Sequence, residues 1–198
     1  MATSYSDRVT RYLEASRDAV SAALGDRTFV EAVSRTAEIV TDALRAGKKI
    51  LLAGNGGSAA DAQHLATELM VRFYLDRAPL PALALTTDGV TLTATGNDLG
   101  FEHVFSRQVL ALGQPGDVFL GLSTSGRSPN ILAACKAARE RGMSVIGFTG
   151  TRNGETMGSL CDLTVRVPSE KTPLIQQVHI AAGHIVCEIA EEALAKGA

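Results

Sequence analysis

Short apolar runs alternate with stretches of helical periodicity along most of this chain. Five apolar runs have the length of buried strands, at residues 49–53, 82–85, 118–122, 144–148 and 163–167. Helical patterns lie between most of them, at residues 58–74, 101–112 and 129–141. Because alternating strands and helices form parallel sheets, the pattern predicts an α/β fold with helices on both faces of a parallel sheet.

Further helical segments flank this alternating region. Two precede it, at residues 5–24 and 28–46, and the second is followed by Gly47, a C′ glycine by its place. A long helix is expected from about residue 173 to 196, with apolar residues on several sides. Together these helices present more apolar surface than a small sheet can cover, which favours a symmetric homo-oligomer. The alternative is that they cover the sheet of a monomer.

Composition narrows the class of protein. The 198 residues are 45% hydrophobic and 20% charged, which is typical of one ordered domain spanning residues 1–198. A net charge of −2 argues against bulk binding of nucleic acid or anionic membranes. No apolar run is long enough to span a bilayer, and the first residues have no signal-peptide pattern. Three scattered cysteines suit reduced thiols, so we expect a cytoplasmic protein.

The first candidate site joins a glycine-rich loop, a helix start and a histidine–carboxylate pair. Residues 53–64 read AGNGGSAADAQH, and Glu68 follows four residues later. We expect Ser58 to be the helix N-cap, with Asp61 as a second acceptor for free N–H groups. A glycine-preceded helix N-terminus suits phosphate, and His64 and Glu68 share a helix face one turn apart. The alternative is a solvated pair with no function.

The second candidate site is a loop rich in hydroxyl groups. Residues 123–130 read STSGRSPN after an apolar run, so Ser128 is the expected N-cap and Pro129 the first helical residue. Alone this is equally a serine-rich turn with an ordinary cap. Both loops follow strands, however, and ligands in open α/β sheets bind at the carboxyl ends of strands. The loops have neither the dinucleotide nor the P-loop spacing, so we predict phosphate binding without a nucleotide.

A third cluster lies in the C-terminal helix, at Gln176, His179 and His184. On a continuous helix, His184 lies about 80° from Gln176 but about 140° from His179. We therefore interpret His179 as a core or interface residue. Gln176 and His184 are about 12 Å apart along the axis. If both bind one metal ion, the helix begins after Gln176 or one ligand comes from a neighbouring subunit.

Together these pieces resemble the phosphoheptose isomerases, or sedoheptulose 7-phosphate isomerases, of the SIS-domain superfamily. The resemblance extends to about Cys187 and rests on residues 54–64, 96–98, 105–108, 123–126 and 175–179, with Ser128, Asn130 and His184. It implies a flavodoxin-like three-layer αβα sandwich with a five-stranded parallel sheet. Residues 1–47 would be an N-terminal helical segment, and residues 48–198 the αβα core and C-terminal helix. The implied assembly is a homotetramer with active sites at subunit interfaces.

The resemblance also implies the chemistry and its residues. The reaction converts sedoheptulose 7-phosphate to D-glycero-D-manno-heptose 7-phosphate through an enediolate, with Glu68 and His184 as base and acid. One zinc ion per subunit is implied, bound by His64, Glu68, Gln176 and His184. A carboxylate bound tightly to zinc is a poor base, so whether Glu68 is base, ligand or both stays open. The implied substrate contacts are Asn55, Gly56, Gly57, Ser58, Glu68, Asn97, Asp98, Ser123, Thr124, Ser125, Ser128 and Gln176.

Two other functions compete with this one. The chain could be another SIS isomerase, acting on a pentose or hexose phosphate. It could also be a non-catalytic tetrameric SIS scaffold that binds an initiator of the DnaA type, although such relatives lose the residues matching Glu68 and His184. A SIS sensor of sugar phosphates usually carries a DNA-binding domain, for which this chain has no room. Heptose phosphates supply lipopolysaccharide, S-layer or capsular glycans and some antibiotics, and the residues do not choose among these.

Overall fold

The computed structural model describes residues 4–152 and 154–195. Within them, eight α-helices and five strands follow one another along the chain. The helices are α1 (Tyr5–Gly25), α2 (Arg27–Arg45), α3 (Gly57–Met70), α4 (Gly89–Asp98), α5 (Ser106–Leu112), α6 (Pro129–Glu140), α7 (Gly154–Gly158) and α8 (Thr172–Ala195). The strands are β1 (Ile50–Gly54), β2 (Ala82–Ala84), β3 (Val118–Leu122), β4 (Ser144–Gly150) and β5 (Leu163–Val167).

All five strands are parallel, in the order β2-β1-β3-β4-β5. From β1 the chain runs to β2 at one edge of the sheet, then returns to β3 beside β1 and continues through β4 to β5 at the other edge. The strand order therefore reverses between β1 and β3. Gly54 and Leu122, the last residues of these strands, are paired in register, so the two following loops start at the same level. This is the topological switch point at which open α/β sheets bind ligands. The α/β class and the parallel sheet expected from the sequence are confirmed.

Two hydrophobic cores fill the space on the two faces of the sheet. One joins α1, α2, α3 and α8 to one face, and the other joins α5, α6 and α7 to the opposite face. Strand β1 shows the division directly, because Ile50 and Leu52 belong to the first core and Leu51 to the second. The three central strands, β1, β3 and β4, are therefore buried on both faces, as is typical of parallel sheets.

The two N-terminal helices differ in what covers their apolar side chains. Helix α2 covers the sheet, with nine buried residues that include Phe29 and Val40. Helix α1 buries only Ala19 and Ala23 and leaves its larger apolar side chains exposed. The prediction of uncovered apolar surface thus holds for α1 and not for α2.

The segment predicted as a helix at 58–74 is shorter, because α3 ends at Met70. The N–H groups of Phe73, Tyr74 and Leu75 donate to the carboxylate of Glu191 instead of to helix carbonyls. The start was also wrong. Gly56 is the N-cap and no side chain caps α3.

Other boundaries differ in smaller ways. The helix predicted at 101–112 is a 3-10 turn, Phe101–His103, followed by α5, because the Val104 N–H bonds back to the Phe101 carbonyl. Helices α4 and α7 were not predicted. The expected C-terminal helix is α8, and its predicted last residue, Lys196, lies outside the described residues. Among the helices described, none has the length and apolar composition required to cross a bilayer.

Candidate active site

The two predicted loops lie side by side at the switch point and are joined by a reciprocal amide pair. The Asn55 Nδ2 donates to the Asn130 Oδ1 at 2.9 Å, and the Asn130 Nδ2 donates to the Asn55 Oδ1 at 2.8 Å. Asn130 is 2% exposed, so both bonds are shielded from water. The pair fixes the glycine loop after β1 to the serine loop after β3, so the starts of α3 and α6 lie side by side at the carboxyl edge of the sheet. Two helix N-termini are thereby available to one anion.

The glycine loop requires its glycines for two separate reasons. Gly56 has φ 55° and ψ −120°, a backbone conformation that side chains disfavour. At Gly57 a Cβ atom would lie 2.6 Å from the Nε2 of Gln176, so a side chain at this position would displace the Gln176 amide from the glycine loop. Ser58 is buried inside α3, and its Oγ accepts a long hydrogen bond from the Gln176 Nε2 at 3.5 Å.

The serine loop holds its hydroxyl groups close to the start of α6. The Oγ atoms of Ser123 and Ser128 are 2.9 Å apart, and the Ser125 Oγ accepts from the Arg127 N–H at 3.3 Å. Ser128 is the N-cap residue and Pro129 begins the helix, as predicted. The Ser128 side chain makes no capping hydrogen bond to the helix. Because Pro129 has no N–H and the Ile131 N–H donates to the Ser128 carbonyl at 3.0 Å, Asn130 carries the first N–H of α6 that a ligand can use.

A carboxylate and two imidazoles meet between α3 and α8. The Nε2 atoms of His64 and His184 are 2.9 Å apart, and the His64 Nε2 lies 3.1 Å from the Glu68 Oε1. Their chain separation is 120 residues, so the tertiary fold creates this contact. The His64 side chain is 51% exposed and that of Glu68 20% exposed, so both are open to a ligand from solvent.

Electrostatics favour a neutral imidazole at His184. Burial lowers the pKa of His184, the neighbouring His64 lowers it further, and Glu68 opposes both effects. One turn before His64, burial raises the pKa of Asp61 to about 6, although His64 acts in the opposite direction. The Asp61 Oδ2 is buried and has no hydrogen-bond partner among the described residues. Asp61 therefore does not serve the helix-capping role that the sequence suggested.

The donor set of His64, Glu68 and His184 fits a zinc ion. Their candidate ligand atoms all lie within 4.8 Å of one another. Tetrahedral zinc with bonds of about 2.0–2.1 Å places ligand atoms about 3.3 Å apart. The separations of 2.9 Å and 3.1 Å measured here are close to that spacing. Two imidazoles and one carboxylate also leave a fourth tetrahedral position for a further ligand.

The fourth expected ligand, Gln176, lies apart from this group. Helix α8 begins at Thr172, so Gln176 and His184 belong to one continuous helix, about 12 Å apart along its axis. The Gln176 amide contacts Gly57 and Ser58 at the glycine loop. Of the two routes by which Gln176 could share an ion with His184, a late helix start is thus excluded. His179 is fully buried, and its Nε2 lies 3.2 Å from the Thr149 carbonyl oxygen, so its interpretation as a core residue is confirmed.

Asn97 and Asp98 end α4, an element that the sequence did not predict. Both are exposed, and the Asn97 Nδ2 donates to the Asp98 Oδ1 at 2.7 Å. Thr124 and Ser125 are partly buried in the serine loop. The sequence analysis placed Asn130 in the second candidate loop but assigned it no role, and in the structure it joins the two loops. Phe73, whose ring centroid lies 5.4 Å from that of His184, was not identified. The position of Asn130 beside Pro129 at the helix start was a usable signal, whereas nothing local marks Phe73.

Comparisons with known proteins agree with this geometry. The family model described as "SIS domain" matches residues 11–150. A phosphoheptose isomerase from Rhodospirillum rubrum is 59% identical over 171 residues, covering 86% of this chain and 89% of that protein. The solved phosphoheptose isomerase from Neisseria gonorrhoeae has a TM-score of 0.89 and 43% identity, over 96% of this chain and all of that one. A phosphoheptose isomerase structure from Francisella tularensis has a TM-score of 0.88 and 35% identity, also over 96% of this chain and all of that one.

Proposed function

This chain belongs to the phosphoheptose isomerases of the SIS-domain family, and we propose that Glu68 and His184 perform its reaction. The enzyme isomerises sedoheptulose 7-phosphate to D-glycero-D-manno-heptose 7-phosphate. The observation that carries the assignment of roles is the meeting of a carboxylate from α3 and an imidazole from α8 in one cluster with His64.

The proposed chemistry moves one proton between neighbouring carbons. Glu68 takes a proton from C1 of the ketose while His184 gives one to O2, which produces an enediol. Glu68 then returns its proton to C2, and His184 takes the proton of O1, which leaves the aldose. One nitrogen of His184 serves both steps, because the N–H that gives its proton to O2 becomes the acceptor for the proton of O1, which restores the neutral imidazole.

The phosphate of the substrate is proposed to bind where the two loops meet. The contacts would come from the backbone and side chains of residues 55–58 and from Ser123, Thr124, Ser125 and Ser128. The helix starts of α3 and α6 and the hydroxyl groups of the serine loop support this placement. Asn97 and Asp98, in the exposed end of α4, are proposed to bind the hydroxyl groups of the sugar.

A zinc ion bound by His64, Glu68 and His184 is proposed for each subunit, with Gln176 as the fourth ligand. Because Gln176 and His184 are distant along one helix, Gln176 would come from a neighbouring subunit. When bound, zinc supplies a Lewis acid that polarises the carbonyl and hydroxyl oxygens of the substrate. The roles of Glu68 as base and as ligand compete for the same carboxylate oxygens, which makes metal removal an informative experiment.

The proposed assembly is a homotetramer of single-domain chains with active sites at the interfaces, in the cytoplasm. The exposed apolar residues of α1, among them Tyr5, Val9 and Leu13, support an interface on this helix.

An assay of aldose formation from several ketose phosphates tests the function. We expect the highest kcat/KM with sedoheptulose 7-phosphate. A higher kcat/KM with a ketopentose or ketohexose phosphate would indicate another SIS isomerase. Absence of turnover with every ketose phosphate, by folded protein supplied with zinc, would favour the scaffold.

A further inference from the structure

Below the candidate site, a buried carboxylate organises the chain that connects α3 to β2. The Oε1 of Glu191 accepts from the Phe73 N–H at 2.7 Å and from the Arg77 Nε at 3.0 Å. Its Oε2 accepts from the N–H groups of Tyr74 at 2.6 Å and Leu75 at 2.9 Å. The Glu191 side chain is 1% exposed, so four hydrogen bonds replace its lost hydration.

The guanidinium of Arg77 connects Glu191 to the end of α3 by hydrogen bonds. Its Nη2 donates to the backbone carbonyl of Glu68 at 3.0 Å, and its Nη1 donates to the carbonyl of Leu69 at 2.9 Å and to that of Ala78 at 3.0 Å. Arg77 thus binds carbonyl groups that the end of a helix leaves without partners. One of these carbonyls belongs to the proposed catalytic base itself.

Glu191 is also connected to His184, the proposed catalytic acid. Glu191 follows His184 by seven residues, which is two helical turns, so both lie on nearly the same face of α8. The backbone held by Glu191 presents Phe73, whose ring packs on the imidazole of His184 with centroids 5.4 Å apart. Glu191 is therefore connected to Glu68 through Arg77 and to His184 through Phe73.

Both charges are buried and fully engaged, which makes the arrangement stiff. Burial alone would raise the pKa of Glu191, but the three N–H groups and Arg77 outweigh it, and the pKa lies below its usual range. The Arg77 side chain is 6% exposed. Removing Arg77 leaves the Glu191 carboxylate with its three N–H donors only, and removing Glu191 leaves the Arg77 guanidinium with neutral carbonyl partners only. Either change leaves a buried charge without an opposite charge beside it, which is costly.

We propose that Arg77 and Glu191 are positioning residues for the isomerisation, which hold Glu68 and His184 at their working separation across α3 and α8. This inference rests on the proposed roles of Glu68 and His184. Those two residues contact the substrate, whereas Arg77 and Glu191 act only through them. A displacement of about 1 Å in a catalytic group can reduce a rate about a hundredfold, which is the scale of effect at issue.

The test compares Glu191→Gln, Arg77→Lys and Phe73→Leu with wild-type enzyme, using sedoheptulose 7-phosphate as substrate. Arg77→Lys keeps the positive charge beside Glu191 but cannot reach the carbonyls of α3 with a planar fork of donors. The control, matched in loss of stability, is Val145→Ala. It creates a cavity in the second core at the amino end of β4, away from the site. All enzymes are assayed at a temperature at which circular dichroism shows them folded.

We expect kcat to fall about 10- to 100-fold in Glu191→Gln and Arg77→Lys and about 3-fold in Phe73→Leu, with KM within about 2-fold. Val145→Ala should keep the wild-type kcat at a similar loss of thermal stability. Should Glu191→Gln fail to fold, Arg77→Lys and Phe73→Leu provide the same comparison. Wild-type kcat in the folded variants, or an equal loss in Val145→Ala, would overturn the proposal. Inactive wild-type enzyme would instead contradict the proposed function.

Discussion

Two clusters of ionisable side chains join α3 to α8, and they are built in opposite ways. In the upper cluster, His64, Glu68 and His184 face one another with exposed fractions of 51% for His64 and 20% for Glu68. In the lower cluster, Arg77 and Glu191 are 6% and 1% exposed, and their polar atoms are engaged with the backbone. The two clusters are two turns apart on α8.

The difference separates chemistry from support. A buried charge whose hydrogen bonds are all made is rigid and has nothing left to offer a ligand. The upper cluster, by contrast, brings lone pairs together at an open surface, and this capacity is what a substrate or a metal ion uses. Substitutions in the upper cluster should therefore change the reaction first, whereas those in the lower cluster should change stability as well.

The largest effect is expected from Glu68→Gln and from His184→Gln. Each removes a group that transfers protons, and such groups contribute about 10²- to 10⁴-fold to a rate. We expect isomerase turnover to fall about 10²- to 10⁴-fold in steady-state assays. Size-exclusion chromatography and thermal unfolding should show an unchanged assembly and little loss of stability. Near-normal activity in either variant would show that the residue does not transfer protons. The upper cluster would then not differ from the lower one in its role in the reaction.

The next effect is a loss of stability in Glu191→Gln. The amide faces three N–H donors and leaves Arg77 buried without its partner, so we expect the free energy of unfolding to fall by about 3–5 kcal/mol. Urea titration followed by circular dichroism measures this. Glu38→Gln, in an exposed pair with Arg35, is the control and should change stability by less than about 0.5 kcal/mol. Equal effects of the two substitutions would show that burial of the lower cluster has no energetic consequence.

Metal removal should have a smaller effect than loss of either proposed catalytic group. If zinc assists Glu68 and His184 without replacing them, treatment with a chelator should lower kcat about 10- to 100-fold, and added zinc should restore it. Elemental analysis confirms that the metal has been removed and returned. Val145→Ala, in the second core away from both clusters, is the control and should respond to the chelator as the wild type does. Unchanged activity in metal-free enzyme would restrict the upper cluster to proton transfer.

The smallest expected effect is a change with pH in the contribution of Glu191 to the free energy of unfolding. The pKa of Glu191 is lowered in the folded state, so its carboxylate stabilises the fold above its ordinary pKa of 4.5. That stabilisation is lost as pH falls through the lowered, folded-state pKa. The difference in unfolding free energy between wild type and Glu191→Gln should thus be constant at neutral pH and shrink below about pH 4.5. Urea titrations at a series of pH values measure it, and a difference that grows in acid would contradict the pKa direction.

Much of the fold followed from local pattern, and its errors have local explanations. Strand β3 and helix α6 begin where the sequence placed them, since their apolar runs and helix-start signals are contained within a few residues. Helix α4 was missed because its sequence, GVTLTATGND, is rich in Thr and Gly and has only two large apolar side chains. The N-cap was misplaced at Ser58 because a serine before a helical pattern normally caps it, whereas here the glycine loop begins the helix and buries that serine.

The amino-acid sequence by itself determined the alternation of strands and helices, the two loops that follow β1 and β3, and the identity of the residues with chemical potential. Tertiary structure alone decided which of those residues meet. It brought His64 to His184 across 120 residues and Arg77 to Glu191 across 114, and it placed Gln176 apart from His64, Glu68 and His184 in the same chain. The physical reason is the range of the forces: helix and strand periodicity arises from neighbours a few residues apart, whereas the approach of α3 to α8 depends on how a whole sheet places both helices on one face.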